Sequence, residues 1–252
     1  NQVMTRAIDF SGPDLKIERA KQHITELEAV FDRHLAANHD SVKARGSASR
    51  PKLTVIGSDL PRHTPTILGD ALHNLRAALD HAYCILIEAN GSTIHDRSFF
   101  PIIRDVAHLQ SQRGSLDGHK KLGHAPSDRV IASIFDVIQP YPGGNGADLV
   151  KLHVLDVADK HMVLLPSEQH TEVTRLDLPG GSRISGITLV GPPGVSAIAI
   201  EGDYRPEDAR ENNVIFKICF GRGQPYEGEP IVPTLHTLLE KVRSTLQTLK
   251  SA

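Results

Sequence analysis

Cysteine is scarce in this 252-residue chain. Two residues, Cys84 and Cys219, cannot make a disulfide framework, and they read as buried thiols in a reducing cytoplasm. Aromatic residues are also few, at 4%, and the formal net charge is only −2. Both withhold support for a nucleic-acid surface, and the charge gives no general attraction to an anionic membrane. No apolar run approaches a membrane span, and the N-terminal segment lacks the basic-then-apolar order of a secretory signal. Familiar catalytic signatures are missing as well. There is no G-x-S-x-G elbow and no HExxH, and the GGNG at 143–146 lacks the Lys-Ser/Thr of a phosphate-cradling loop.

What is present is the composition of a soluble globular protein, with 39% hydrophobic and 23% charged residues and length enough for a sizeable core. Fourteen histidines are the one oddity. The most informative stretch is Pro65 to Ala89, PTILGDALHNLRAALDHAYCILIEA. At about 100° per residue it separates into three surfaces. Leu68, Leu72, Leu75, Leu79, Ala82 and Leu86 form an apolar stripe. Asp70, Asn74, Ala77 and His81 line the far side. His73, Arg76 and Asp80 flank that line, Arg76 and Asp80 at salt-bridge spacing. A solvent face is usually Lys, Glu and Gln; this one reads as a site.

In chain order, Gly12-Pro13 opens an amphipathic helix on which Ile17, Ala20, Ile24, Leu27, Phe31 and Leu35 recur at three and four. His23 and Glu26 lie beside that stripe. Residues 38–51 read as a polar loop, and 52–58 as a short strand. Asn90-Gly91 stops the central helix. FFPII at 99–103 reads as an apolar plug, and 104–126 as a broken helix and loop carrying the basic cluster His119, Lys120, Lys121 and His124. Ser127-Asp128 caps a helix that ends before Pro140, and another helix runs from Ala147 to about His161. Beyond it, short β-branched runs between Gly- and Pro-rich turns predict four or five antiparallel strands. Leu235, Leu238, Leu239, Val242, Leu246 and Leu249 then mark a closing helix that packs back on the bundle. The expected fold is α+β: a bundle of four to five helices over 1–161, an inserted antiparallel sheet over 162–228, and a C-terminal helix over 229–252, as one structural unit.

GDALHNLRAALDH at 69–81, FPI, QPY, and DKH at 159–161, with RAKQH at 19–23, resemble in their order a widespread uncharacterised bacterial protein family. The resemblance covers most of the first 165 residues and implies a shared fold, but no activity and no substrate. Arg76 to His81 also resembles the R-x4-6-H pattern of the HEPN superfamily of helical nucleases, a short pattern that 33–39 and 113–119 satisfy equally.

Three functions compete. In the first, Asp70, His73 and His81, with Asp159 and His161 facing them, bind a divalent metal (zinc, iron or manganese) that activates water for hydrolysis of a small-molecule substrate. Arg76, Asp80 and His81 then act as orienting and acid–base groups. Against one ion collecting both imidazoles, His73 and His81 point about 80° apart on an ideal helix. In the second, which the nuclease resemblance implies, the chain is a metal-independent ribonuclease in which Arg76 holds the phosphate of RNA and His81 is the acid or base. In the third, His73, Arg76 and Asp80 form a structural polar network, completed by Asp159 and His161, in a small-molecule-binding or interaction protein. Cys84, one turn from Asp80 and His81, is the less favoured nucleophile. A cytoplasmic homodimer, with no membrane partner, is the expected setting.

Overall fold

The computed structural model describes residues 8–38, 42–47, 50–56, 60–161, 167–177, 183–184, 187–191, 195–199 and 213–252. The fold is mixed α+β: a bundle of helices, small antiparallel sheets set into the chain before the last helix, and a C-terminal helix packed on the bundle. Two compact units share the chain. One takes Asn1–Ile24, Leu68–Val163 and Leu235–Ala252, the other Thr25–Ile67 and Leu164–Thr234. The division falls inside three of the helices.

In the first unit, α1 (Ser11–Asn38) contributes its N-terminal half and α2 (Thr64–Ala89) most of its length. The predicted stripe of α2 is the core: Leu68, Leu72, Leu75, Leu79, Ala82 and Leu86 are all buried. Each leucine contributes roughly 1.5–3 kcal/mol of transfer free energy before chain entropy is set against it. A Schellman pair ends α2, with Gly91 N–H bonded to Glu88 O and Ser92 N–H to Ile87 O. Gly91 makes this possible by taking a φ of 72°.

After α2 an irregular segment leads through a short 3-10 turn to α3 (Leu109–Lys121). The expected broken helix is therefore a regular one of 13 residues, and His119, Lys120 and Lys121 form its last turn, where positive charge suits the helix dipole. Ser127 caps α4 (Asp128–Ala132), its hydroxyl accepting from Val130 N–H. A π-turn at Ser133–Ile138 follows, and Gln139, held left-handed ahead of Pro140, stops it. α5 (Ala147–His161) comes next. α6 (Ile231–Lys250) buries Leu235, Leu238, Leu239, Val242, Leu246 and Leu249. Lys250 pairs with Asp14 at 2.8 Å, and Arg129 donates to Ser251 O at 2.7 Å, tying the end of this helix to α1 and α4.

In the second unit, β1 (Val42–Ser47), where the sequence predicts a loop, and β2 (Arg50–Ile56), most of which falls on the strand expected at 52–58, form an antiparallel pair. A strand far along the chain, β6 (Val195–Ala199), completes that sheet against β2. β3 (Ser167–Asp177) is the centre of the other sheet. It pairs with β4 (Arg183–Ile184), β5 (Ile187–Gly191) and β7 (Asn213–Phe220), every pair antiparallel.

Candidate functional site

The chemistry-bearing side chains gather between α2 and α5 inside the first unit. Arg76 is the pivot. It sits on α2 with 4% of its surface exposed, and its Nη2 donates to Asp80 Oδ1 at 2.8 Å and to Phe100 O at 2.9 Å. Asp80 Oδ1 in turn accepts Phe100 N–H at 2.9 Å. The pair at i, i+4 thus grips both backbone groups of Phe100 and hangs the Phe99–Ile102 segment from the helix. Phe100 is buried, edge-on to Tyr83, while Phe99 is exposed. The second nitrogen, Arg76 Nη1, is buried and has no hydrogen-bond partner among the described residues.

α5 supplies the facing wall. Asp156 is buried and accepts from Lys160 Nζ at 2.7 Å and from His73 Nδ1 at 3.3 Å. His153, one turn before it, has a buried Nδ1 without a partner. Between these residues and Phe99–Ile102 lies a cavity of about 360 Å³. Its polar lining is Arg76, Asp80, His153, Asp156 and Lys160, and its apolar lining includes Phe99, Ile102 and Val157.

Burial and charge set the ionisation of these groups. Burial lowers the His153 imidazole to about 4, helped by the charge of Arg76 and opposed by Asp156, so it is neutral at pH 7. Burial raises Asp80 above the usual carboxylate range, and Arg76 offsets part of that rise. Asp159 is raised by burial and by the nearby carboxylates Asp156 and Asp70. Its carboxyl lies against Gly69, so a Cβ at that position would have to displace the Asp159 side chain. Asp159 Oδ1 is buried there without a partner.

Of the residues singled out from sequence, the structure brings together His73, Arg76 and Asp80 with α5, and sets Asp159 beside Asp70 and His73. Asp70 itself is exposed. His81 is not in this group. It is exposed on another face of α2, near Gly12 of α1, and turned away from Arg76. His161 closes α5, but its side chain lies outside the described residues. Among the described residues no three His, Cys, Asp or Glu side chains converge as a metal ion would need. Cys84 donates its thiol to Ser98 O at 3.2 Å, and burial raises it, with Asp80 and Glu88 adding to the shift. That keeps it a thiol, not a nucleophile.

Sequence reading missed His153 and Asp156. Their signal is the spacing i, i+3, i+7 with Lys160 in HVLDVADK, one helical face that leads into the DKH motif. Among the described residues no helix is long and apolar enough to cross a membrane. No protein-family model, no curated protein and no solved structure matches the chain.

Proposed function

We propose that the cavity between α2 and α5 binds a small molecule bearing a carboxylate, or a similar oxygen acceptor, on an apolar body. The unpartnered Nη1 of Arg76 carries this reading. A buried N–H without an acceptor costs about 1–3 kcal/mol, more when charged, and an acceptor entering the cavity recovers it. The remaining polar groups point the same way. Asp80 is already served by Arg76 Nη2 and Phe100 N–H, and Asp156 by His73 and Lys160. Donors are therefore in surplus: both protons on Arg76 Nη1 and the remaining protons of Lys160 Nζ. A carboxylate oxygen accepting from Nη1 would make a charge-assisted hydrogen bond, stronger than one to a neutral acceptor. Phe99, Ile102 and Val157 offer the body of the ligand an apolar wall.

The test is a thermal-shift screen of small aromatic and aliphatic carboxylates, each beside its neutral primary amide. Carboxylates should raise the melting temperature and amides should not, and Lys160→Met should reduce the rise. A screen in which the two series behave alike would overturn the reading.

A second reading, metal-assisted hydrolysis, draws on the crowding of Asp70, Asp156 and Asp159. A divalent cation beside them would relieve the mutual repulsion that raises Asp159. Since no three of these side chains converge as they stand, His73 and the three carboxylates would have to draw together around the ion to serve as its ligands. Elemental analysis of tag-free protein tests it: near-stoichiometric metal that is lost in Asp159→Asn supports it, and none in either protein refutes it. No observed contact favours RNA cleavage by Arg76 and His81, since the two side chains serve different faces of α2. Cytoplasmic residence accords with two free thiols.

A further inference from the structure

Beyond the Arg76 cavity, the histidines left unused by that site are not scattered. His95 lies in the segment after α2, His119 in the last turn of α3, and His124 in the turn that follows. The ring centres of His95 and His124 are 4.9 Å apart, and those of His95 and His119 are 5.3 Å apart. All three line a cavity of about 100 Å³ with Arg97, Ser98, Gln112 and Ser115. No carboxylate lines it. Asp96, the carboxylate nearest His95, has a side chain 91% exposed and stands outside the lining. The cavity is therefore walled by groups that can donate, with one fixed positive charge.

Among the described residues no three His, Cys, Asp or Glu side chains converge as a metal ion would need, whereas an anion needs only donors. His95 Nδ1 lies 3.0 Å from Arg97 N–H and 3.3 Å from Asp96 Oδ1; accepting from Arg97 puts the proton of the neutral ring on Nε2, a donor toward an anion. His124 Nδ1 donates to Thr93 O at 2.8 Å, which fixes the ring and leaves Nε2 to meet a phosphate oxygen or its hydroxyl. The carbonyls of Gly118, His119 and Lys120 at the end of α3 are taken up by N–H groups of Leu122, Gly123 and His124, so they do not face an anion unpaired.

We propose that this cavity binds a phosphoryl dianion, either free phosphate or a terminal phosphomonoester, held by Arg97, His95, His119 and His124. The inference uses none of the polar groups of the Arg76 cavity, although Phe99 and Pro101 line both. The experiment is titration calorimetry of the full chain at constant ionic strength with three probes: inorganic phosphate, phenyl phosphate, and an RNA oligonucleotide without terminal phosphates. Phosphate and phenyl phosphate should both bind, and tighter binding of phenyl phosphate would identify an ester as the preferred source. Arg97→Gln, at an exposed position, and the double variant His119→Gln, His124→Gln should each weaken binding by about tenfold or more with unchanged circular dichroism. Absence of binding by both phosphates, equal affinity in Arg97→Gln, or binding of the oligonucleotide alone would each overturn the proposal.

Discussion

Arg76 does two jobs with one guanidinium. Nη2 is a structural tie to Asp80 and Phe100, and Nη1 is left for something else. Arg76→Ala should therefore be costly without any ligand, because it leaves the half-buried Asp80 carboxylate without its partner charge. Loss of such a partner costs roughly 3–5 kcal/mol, read as a fall in the urea midpoint at unchanged slope. A loss under about 1 kcal/mol would mean that Asp80 finds water instead. His153 gives a second residue-level prediction, through pH. In the unfolded chain its imidazole takes a proton near 6.5, in the folded chain only near about 4. As pH falls through that window the unfolded state binds more protons, so His153 withdraws stability; above it the contribution is constant. The raised carboxyls of Asp80 and Asp159 act in the opposite sense, so the comparison must be with a variant. His153→Gln should show a shallower loss of stability between pH 6.5 and 4 than the parent chain, measured as urea midpoint against pH.

Among the elements, α2 and α5 define the site by how closely they approach at Gly69. Gly69→Ala must displace the Asp159 carboxyl, and overpacking of that kind costs about 1–3 kcal/mol. Hydrogen exchange should speed at amides of both helices, whereas exchange confined to the residues around 69 would mean that Asp159 simply swings away. Some of this was legible beforehand. The leucine stripe of α2 is read from its period alone, and the unusual polar set of His73, Arg76 and Asp80 marks the face that meets α5. The pairing of Arg76 with Asp80 was legible from the i, i+4 spacing, but its other partner, the backbone of Phe100, was not, because backbone atoms leave no mark on a sequence. His153 and Asp156 were hidden for a related reason. Within α5 they alternate with apolar residues, and only the facing helix reveals which stripe turns inward.

For the whole molecule, the α+β organisation was legible because helical and strand-like texture separate cleanly along the chain, yet the two-unit division was not. β1, with Lys43, Arg45, Gly46 and Ser47, has no apolar alternation to announce it, whereas the alternation Lys52-Leu53-Thr54-Val55 announces β2. Pairing of β2 with both β1 and β6, which lies far along the chain, makes a sheet, and such pairing overrides weak local preference. The same holds for the site, which needs α2, the Phe99–Ile102 segment and α5, three parts of the chain that no local motif connects.

The central claim is that Arg76 Nη1 is the anchor for an acceptor group of a ligand. The most direct measurement is the guanidinium region of the proton–nitrogen NMR spectrum during titration with benzoate, and separately with benzamide. The account predicts that benzoate moves the Arg76 Nη signals downfield and slows their solvent exchange, while benzamide leaves both nearly unchanged. Arg76 signals that ignore benzoate, while other signals of the chain respond to it, would contradict the claim and leave Arg76 only its tie to Asp80 and Phe100.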